Sequence, residues 1–561
     1  MNVTEVSLIE EYTAKGWWGQ DTLDKLFSRN VAAHPQRIAV IDPPDRESFV
    51  DGKVERLNYV ELDKRVTQMA AALLESGVNK DDIVVFQLPN IHEITVILLA
   101  CARIGAIASP VLVQFDLNEI EQIFTQLQPK VFITVIRFKK RALAAAAQPL
   151  CDKFRCKLMA SGELVSSKSD NEAKQLLADY LQRTDIDAND VSTICWTSGT
   201  EGLPKGVMRS HNQWLAIGRM MRDGAGLKQG DVLLNTRPLV NMAAIGGSFC
   251  SWLLSAGTMV LHHPLNMALA VKQIKEEKVN ITFMPPAFII ALLKDKTLRA
   301  EADLSSLRMM GSGSAAIPAW AVEEIEREQK VNIVNFFGSN EGVALLSTAA
   351  EVPDPRLRAS YFPRFGRSEF TWPSLPVSAQ LTSRLVNPET ETEISTLGQV
   401  GELRMKGSTI FSAYFKNEAQ TKAAFDSEGY YCTGDLFEIA GDGELSKFYK
   451  FVGRCKEVII RGGFNIAPAE IDNLLSNHPQ IKEVAAFGYA DERLGEKVGV
   501  AVVAKSGSEV TLDSIINFLK DQHIAVFKLP EKLLVMEELP RNGLLKVLRW
   551  KLTELADQQV A

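Results

Sequence analysis

Short runs of β-branched and apolar residues alternate along most of the chain with longer segments of helical periodicity. DIVVFQLP at 82–89 precedes a helical pattern at about 93–104, and VFITVI at 131–136 precedes RFKKRALAAAAQPL. TMVLHH and NITFMPP are each followed by a helical segment in the same way. Strands that alternate with helices are typical of parallel sheets covered by helices. The pattern therefore predicts an α/β fold.

The pattern changes twice in the second half of the chain. Prolines crowd the segment after Glu351, and short strands with glycine and charged turns follow, such as GQVGELRMKG, which predicts a smaller β-rich unit. After Arg454 the order is helix, strand, strand and amphipathic helix. This order predicts a compact α+β domain of about 100 residues.

Length and charge restrict the class of protein. The 561 residues are too many for one hydrophobic core, and 46% hydrophobic with 23% charged residues is ordinary for a soluble globular protein. A net charge of −7 provides no basic field for nucleic acid or an anionic membrane. The most apolar long window, 94–113, contains Arg103 and Pro110, so it predicts a buried helix and strand rather than a membrane span.

Cysteine and histidine usage gives no disulfide or zinc framework. The seven cysteines are scattered, odd in number and without a CxxC pair, which favours a reducing, cytoplasmic setting. The acidic N-terminal segment has no apolar core, so no secretory signal is predicted. The seven histidines are dispersed and form no HExxH motif, and we therefore expect no zinc site.

The segment TICWTSGTEGLPKGVMRSH at 193–211 has the composition of a phosphate-binding loop. Two residues separate Gly199 from Gly202, and Pro204 precedes Lys205, so the spacing excludes a Walker P-loop. Small residues, hydroxyls and a lysine nevertheless favour anion binding. From this segment alone, a phosphate loop and a flexible surface turn remain equal alternatives.

Two further segments carry candidate ligand-binding residues. In MMGSGSAAIPAW, Gly311 and Gly313 formally match the dinucleotide fingerprint, which leaves a nucleotide-binding oxidoreductase or regulator as an alternative. VNIVNFFGSNEG delivers two phenylalanines, Phe336 and Phe337, and then Glu341. The aromatic rings are either core or a stacking surface, and a carboxylate beside phosphates is a natural Mg²⁺ ligand.

Two segments nearer the C-terminus complete an ordered set. GYYCTGDL places Asp435 after a tight turn, and GRCKEVIIRGGFNIAPAEID occupies 453–472. In this order and spacing, the five segments resemble the adenylate-forming superfamily, which includes acyl-CoA synthetases, nonribosomal adenylation domains and firefly luciferase. The resemblance covers nearly the whole chain.

The resemblance implies a domain organisation and a two-step reaction. Residues 1–455 would form a large domain with two βα-layered subdomains and a distorted β-barrel at about 352–455. Residues 456–561 would form a small mobile domain on a hinge at Lys456. A carboxylate would attack the α-phosphate of ATP with Mg²⁺, and the thiol of CoA would then displace AMP.

The resemblance also implies roles for individual residues. The loop 197–205 would wrap the β- and γ-phosphates, Asn335 would offer its amide to the adenine edge, and Phe337 stands where the family usually stacks a tyrosine. Glu341 would ligate Mg²⁺, and Asp435 would accept the ribose hydroxyls. The implied nucleotide-binding set is Thr197, Ser198, Gly199, Thr200, Gly202, Lys205, Gly313, Ser314, Ala315, Asn335, Phe336, Phe337, Gly338, Asp435 and Arg454.

The C-terminal segment LPRNGLLKVLRWKL resembles the one that carries the adenylation lysine, here Lys546. Leu545 stands where the family usually has glycine, and Glu201 replaces a common threonine in the phosphate loop. Gly462 and Gly463 would let the pantetheine of CoA pass close to the backbone.

The segment RPLVNMAAIGGSF lies where the family places part of the acyl pocket. The implied pocket residues are Asn241, Met242, Gly246 and Gly311. Asn241 matches an asparagine of aryl-acid ligases, and the equal alternative is that it only caps the loop. The apolar lining favours a medium-sized hydrophobic acid: alicyclic, aromatic or medium-chain. A separate carrier protein remains an alternative thiol donor, a light-emitting oxygenase a remote option, and a homodimer an open oligomeric state.

Overall fold

The structure is a computed structural model of the chain. It describes residues 1–161, 164–197, 204–313, 316–455, 457–461, 464–491, 494–522, 524, 526–542 and 546–558.

The strands are numbered in chain order. They are β1 (Ile38–Ile41), β2 (Arg56–Asn58), β3 (Ile83–Gln87), β4 (Ile107–Val111), β5 (Val131–Thr134), β6 (Lys157–Ala160), β7 (Val191–Trp196), β8 (Gly206–Ser210), β9 (Val232–Asn235), β10 (Thr258–Leu261), β11 (Ile281–Phe283), β12 (Met309–Gly313), β13 (Asn332–Gly338), β14 (Ala344–Ser347), β15 (Tyr361–Pro363), β16 (Leu381–Val386), β17 (Glu393–Ile394), β18 (Val400–Gly407), β19 (Tyr431–Ile439), β20 (Phe448–Arg454), β21 (Ile459–Arg461), β22 (Phe464–Ile466), β23 (Ile481–Asp491), β24 (Gly495–Ala504) and β25 (Lys532–Val535).

The α-helices are numbered in the same way. They are α1 (Val6–Ala14), α2 (Leu23–Ala33), α3 (Arg46–Phe49), α4 (Tyr59–Glu75), α5 (His92–Ile104), α6 (Leu117–Leu127), α7 (Leu143–Phe154), α8 (Asp170–Leu181), α9 (His211–Ala225), α10 (Met242–Ala244), α11 (Ser251–Ser255), α12 (Met267–Glu276), α13 (Pro286–Lys294), α14 (Lys296–Glu301), α15 (Ala319–Gln329), α16 (Pro355–Arg358), α17 (Glu418–Ala423), α18 (Pro468–Leu475), α19 (Leu512–Asp521) and α20 (Arg549–Gln558). A π-helical turn, Ile245–Cys250, connects α10 to α11.

Two largely parallel sheets form the first three fifths of the chain. One has the order β6-β5-β3-β4-β7-β8 and the other β14-β13-β12-β11-β9-β10-β1-β2. Antiparallel pairs occur at their margins, where β8 pairs with β7, β14 with β13 and β2 with β1. The predicted strand–helix alternation is confirmed, because each quoted apolar run is a strand that is followed by its helix.

The β-rich unit is a six-stranded antiparallel sheet with the order β15-β20-β19-β18-β16-β17. The resemblance implied a distorted barrel here. Closure would require the two edge strands to pair, but in the part of the chain that the structure describes β15 and β17 stay at opposite edges. The barrel expectation is therefore corrected to an open sheet.

The C-terminal unit is α+β, as predicted. β23 and β24 form a long antiparallel hairpin, β25 adds in parallel to β24, and β21 extends the other side. Ile471 of α18 and Ile515 of α19 are buried in one apolar cluster with the sheet. Leu552 and Ala556 of α20 pack in a second cluster with β23 and β24.

The apolar window 94–113 is confirmed as helix α5 followed by strand β4, and nearly all of it is buried. Arg103 is tolerated there because its guanidinium donates to Asp24 at 2.8 Å and to Asp63 at 2.7 Å. The helix is capped by Gly105, whose φ of 72° is the left-handed conformation that glycine adopts without strain. Among the described residues, no helix is both long and apolar enough to cross a membrane. All seven cysteines are free thiols.

Candidate active site

The described ends of the phosphate-like loop are held together at its base. The Thr197 amide donates to the Lys205 carbonyl at 3.1 Å, and the Lys205 amide donates to Thr197 Oγ1 at 3.3 Å. These bonds continue the antiparallel β7–β8 pairing by one step beyond Trp196 and Gly206. Ser198, Gly199, Thr200 and Gly202 lie outside the described residues, and their phosphate role stays a prediction.

Tyr414 joins the loop lysine to the predicted magnesium ligand, and no sequence motif marked it. The Lys205 ammonium lies 4.9 Å from the centre of the Tyr414 ring, and the Tyr414 hydroxyl donates to Glu341 Oε1 at 3.0 Å. Burial and the Glu341 carboxylate both raise the pKa of Tyr414, so its hydroxyl stays protonated and keeps donating. Lys205 and Glu341 thus both contact Tyr414, the lysine at the ring and the glutamate at the hydroxyl group.

Glu341 fits the part of a Mg²⁺ ligand beside nucleotide phosphates. Glu341 is 8% exposed and lies in the turn between β13 and β14. Magnesium at nucleotide sites is commonly held by one or two carboxylates together with phosphate oxygens, so a single carboxylate here suffices. Another acidic group, formed by Asp42, His92 and Glu93, surrounds the Arg46 guanidinium and is a buried ion-pair network.

The predicted adenine segments lie side by side at the carboxyl ends of β12 and β13. Gly313 pairs with Phe336, and a Cβ on Gly313 would lie 2.3 Å from the Phe336 carbonyl oxygen, so only glycine fits. The Asn335 amide nitrogen donates to the carbonyls of Arg358 at 3.2 Å and Ala359 at 2.7 Å. Its oxygen is consequently the atom available for an adenine amino group. Ser314 and Ala315 lie outside the described residues.

The two phenylalanines of the FFGSNEG segment face opposite ways. Phe337 packs against Phe437 and Phe451 of the antiparallel sheet, with ring centres 5.0 and 5.6 Å apart. Phe336 packs on Phe283 at 5.4 Å. Each ring is half-buried, so each keeps an exposed part, and stacking of Phe337 on adenine stays a prediction.

The predicted ribose site is formed by β19 and β20, which pair Asp435 with Arg454. Arg454 Nε donates to Asp435 Oδ1 at 2.9 Å, and Asp435 is 4% exposed. Burial raises the pKa of Asp435 to about 6, although the charges of Arg454 and Lys546 lower it. The Lys546 ammonium is therefore close enough to act on this carboxyl, which joins the C-terminal segment to the nucleotide site.

Lys546 is itself held by Glu457, a second residue that sequence motifs did not single out. Lys546 Nζ lies 3.6 Å from Glu457 Oε1, and Arg549 Nε lies 3.4 Å from the other oxygen. Burial and Arg454 lower the pKa of Lys546, whereas Glu457 and Asp435 raise it. Glu457 thus favours the protonated, positively charged form of Lys546. Leu545, Lys456, Gly462 and Gly463 lie outside the described residues.

Replacing Glu457 by glutamine is expected to move the alkaline limb of the pH–rate profile for adenylation to lower pH. The protonated lysine is the active form and exists below its pKa, so removal of a group that raises that pKa makes Lys546 lose its proton earlier. We expect the displacement to be small, because the pair is partly exposed. Pyrophosphate exchange between pH 7 and 10 measures it.

Glu470→Gln is the matched control for this change. Glu470 pairs with Lys528 at 2.6 Å on the same C-terminal unit and is not among the groups that act on the charge of Lys546. An unmoved limb in Glu457→Gln, or an equal displacement in Glu470→Gln, would contradict the role given to Glu457.

The predicted acyl-pocket loop is only partly as the sequence indicated. Asn241 Oδ1 accepts from the Ala244 amide at 3.2 Å, so this side chain caps α10, as the alternative interpretation has it. A Cβ on Gly246 would lie 2.3 Å from Ile217 Cγ2. Ile217 of α9 therefore occupies the position that a side chain would take, and no open space is left there. Gly246 therefore packs closely against that helix, and its place in the acyl pocket stays a prediction.

The space left by an absent side chain lies instead at Gly247. A Cβ on Gly247 would have only ordinary contacts, 3.9 Å from the Phe283 ring and 4.0 Å from Met221. At Gly311 the rings of Phe283 and Phe336 fill the position that a side chain would take. Phe283, which the sequence did not mark, connects the two glycines.

Comparison with known proteins agrees with this geometry. The sequence profile of the AMP-binding enzyme family matches residues 27–415, and that of the AMP-binding enzyme C-terminal domain matches residues 470–546. The chain belongs to the AMP-binding enzyme family. The predicted superfamily and the reaction class, an AMP-forming acid–thiol ligase, are thereby confirmed.

Individual relatives are ligases of several acids. The chain is 30% identical over 536 residues to an indoleacetate–CoA ligase of Aromatoleum aromaticum, covering 94% of this chain and 96% of the relative. It is 28% identical over 539 residues to a medium-chain fatty-acid–CoA ligase of Escherichia coli, covering 95% and 90%. The fold matches ATP-bound MatB from Rhodopseudomonas palustris with a TM-score of 0.79 at 23% identity, covering 96% of this chain and all of that one.

Proposed function

We propose that the protein activates a hydrophobic carboxylic acid with ATP and transfers the acyl group to CoA. In the first step a carboxylate oxygen bonds to the α-phosphorus, the bond to the pyrophosphate oxygen breaks, and acyl-AMP and pyrophosphate form. In the second step the CoA thiol loses its proton and bonds to the acyl carbon, and AMP departs with the carboxylate oxygen. The observation that carries this proposal is the convergence of Lys546 with Asp435 and Arg454.

The roles of the residues follow from their charges and positions. Lys546 would neutralise negative charge as the carboxylate approaches the α-phosphate, which two anionic reactants require. Asp435 would accept the ribose hydroxyls with Arg454 holding its carboxylate in place. Lys205 and the loop 197–205 would hold the leaving pyrophosphate. Glu341 would hold Mg²⁺, which supplies positive charge to the phosphates.

We propose that the chain divides into an adenylation domain, 1–455, and a mobile domain, 456–561, with a hinge at Lys456. The ion pair of Lys546 with Glu457, and the influence of its charge on Asp435, support an arrangement suited to the adenylation step. Because Arg454 and Lys546 lie on opposite sides of the proposed hinge, rotation there would withdraw the lysine after acyl-AMP has formed. Gly462 and Gly463 would then approach the pantetheine of CoA.

The acid is proposed to be alicyclic, aromatic or medium-chain. The apolar surroundings of Gly247, Phe283 and Met242 support this class, and the relatives that act on indoleacetate and on medium-chain fatty acids lie within it. Pyrophosphate exchange with a panel of octanoate, cyclohexanecarboxylate, indoleacetate and polar amino acids tests it. Exchange with at least one of the first three is expected, and exchange confined to amino acids would refute it.

Two alternatives concern the partner and the state of the protein. A carrier-protein phosphopantetheine is the alternative thiol, and acyl-CoA detected by mass spectrometry without any carrier decides for CoA. The protein is proposed to be cytoplasmic, with a homodimer as the alternative to a monomer, which light scattering distinguishes.

The oxidoreductase alternative loses its basis, because Gly311 and Gly313 lie within strand β12 rather than in the turn after it.

Gly247→Ala is expected to discriminate between acids by size. The added methyl group would meet Phe283 at 3.9 Å without a clash, so the protein should fold while the space beside that ring narrows. We expect kcat/KM for the bulkiest accepted acid to fall about tenfold, and that for the smallest to change little. Steady-state kinetics over the panel measure the difference.

Gly246→Ala is the matched control, one position away. Its methyl group would be forced against Ile217, so we expect a lower Tm and no change in the order of preferred acids. An equal loss for large and small acids in Gly247→Ala would contradict its placement beside the acyl site.

A further inference from the structure

The turn between β13 and β14 contains an asparagine whose side chain bridges two other segments of the site. Asn340 Oδ1 accepts from the Met242 amide at 2.8 Å, and Asn340 Nδ2 donates to the Trp196 carbonyl at 2.9 Å. Met242 belongs to the acyl-pocket loop, and Trp196 directly precedes Thr197 at the base of the phosphate loop. One amide group therefore ties both loops to the turn that carries Glu341.

The turn itself is fixed from below by a buried arginine. Arg209 donates to the Asn340 carbonyl through Nε at 2.9 Å and Nη2 at 2.7 Å, and to the Thr409 carbonyl through Nη1 at 2.9 Å. Arg209 is fully buried. At Gly342, with φ at 103°, a Cβ would lie 1.9 Å from the Thr409 oxygen, so the backbone is tightly seated. The turn that carries Asn340 is therefore held by three hydrogen bonds from Arg209 and by the close approach of Gly342 to Thr409.

The acyl-pocket loop has a second clamp at its other end. Asn90, 1% exposed, accepts from the Leu239 amide at 3.1 Å and donates to the carbonyls of Arg237 at 2.8 Å and His262 at 3.1 Å. These three contacts reach the acyl-pocket loop and the residue after β10. Asn90 and Asn340 hold the same loop, but the contacts of Asn340 also reach the phosphate loop.

We propose that Asn340 is a positioning residue that couples the carboxylic-acid site to the ATP site. A ligand that holds the acyl-pocket loop in one position also holds the Met242 amide in place. Through the two hydrogen bonds of Asn340, it then holds the Trp196 carbonyl and the start of the phosphate loop. Binding of each ligand therefore favours the loop position that the other ligand needs, and the effect is reciprocal. The inference rests on the proposed function, because it assigns the two loops to acid and ATP.

The test measures binding of α,β-methylene-ATP, which cannot release pyrophosphate, with and without saturating octanoate. The coupling factor is the ratio of the two Kd values from calorimetry. We expect a factor of at least about five in the wild type, in the range usual for coupled sites, and a value near one in Asn340→Ala. Titration of octanoate with and without the nucleotide analogue must give the same factor.

Two further variants separate coupling from a general loss of structure. Asn340→Asp keeps an acceptor for the Met242 amide and loses the donor to Trp196, so we expect octanoate to bind alone nearly as in the wild type, with the coupling lost. Asn90→Ala should weaken octanoate binding and leave the coupling factor unchanged.

The outcomes distinguish this inference from the proposed function. Absence of pyrophosphate exchange with every acid of the panel in the wild type would refute the proposed function. Exchange in the wild type together with a coupling factor below two, or with a factor in folded Asn340→Asp equal to that of the wild type, would overturn the role of Asn340. Equal loss of coupling in Asn90→Ala would overturn it as well.

Discussion

Lys546→Ala is expected to reduce pyrophosphate exchange about 10²–10³-fold while leaving thioester formation from supplied acyl-AMP nearly unchanged. The first step brings together a carboxylate and a phosphate, and removal of one positioned charge-stabilising group typically costs this much. In the second step the thiol attacks an acyl carbon that has already been activated, so the lysine has no equivalent task. Rapid-quench measurement of each half-reaction gives the two rates separately.

The matched control for this change is Lys551→Ala. Lys551 lies on the exposed side of helix α20, five positions from Lys546. Its substitution removes the same charge from the same segment. It should alter neither half-reaction. An equal loss of both half-reactions in Lys546→Ala would contradict the separate roles, because it would indicate damage to the domain rather than to the adenylation step.

The second large effect is expected at Asp435. The carboxylate must be ionised to accept two ribose hydroxyls, and burial raises its pKa to about 6. The protonated form prevails below this pH, so nucleoside affinity is present above the pKa and is lost as the pH falls through it. From pH 7 to pH 5 the ionised fraction falls about tenfold, and Kd should rise by the same factor.

Adenosine is the suitable probe, because it has no phosphate that titrates in this range. Calorimetry between pH 5 and 8 gives the profile, and Arg454, Lys546 and Glu457 are the charged groups that act on Asp435. Asp435→Asn should bind adenosine about 10–100-fold more weakly and without this pH dependence, since its amide keeps only one acceptor oxygen for the two ribose hydroxyls. A wild-type profile that is flat, or one that persists in Asp435→Asn, would contradict the assignment.

The fold was largely predictable because its signals are local. β3 and α5 follow from an apolar run and a helical period within 25 residues, and the C-terminal unit follows in the same way. The barrel expectation failed because the pairing of edge strands is a long-range property. Neither β15 nor β17 carries a local signal that specifies its neighbour.

The candidate site was predictable where motifs carry it. Glu341, Asp435 and Lys546 come from recognisable segments. Tyr414 contacts Glu341 and Glu457 contacts Lys546, whereas Asn340 bridges Met242 and Trp196. These contacts join distant segments, and one sequence gives no pattern for them. Their roles become visible only when the chain is folded.

The acyl-pocket glycines illustrate the same limit. Gly246 and Gly247 are adjacent residues of the same type. Ile217 occupies the position of a side chain at Gly246, whereas a Cβ at Gly247 would fit beside Phe283 without a clash. Which glycine leaves space is decided by the packing of α9, which a local pattern does not contain.

The measurement that tests the central claim most directly follows a labelled oxygen from the acid. The protein is incubated with ATP, Mg²⁺, CoA and octanoate labelled with ¹⁸O in its carboxylate, and the nucleotide products are analysed by mass spectrometry. If acyl-AMP is the intermediate, each octanoyl-CoA formed is accompanied by one AMP that carries one ¹⁸O atom. Octanoyl-CoA accompanied by ADP, or by AMP without the label, would contradict the account.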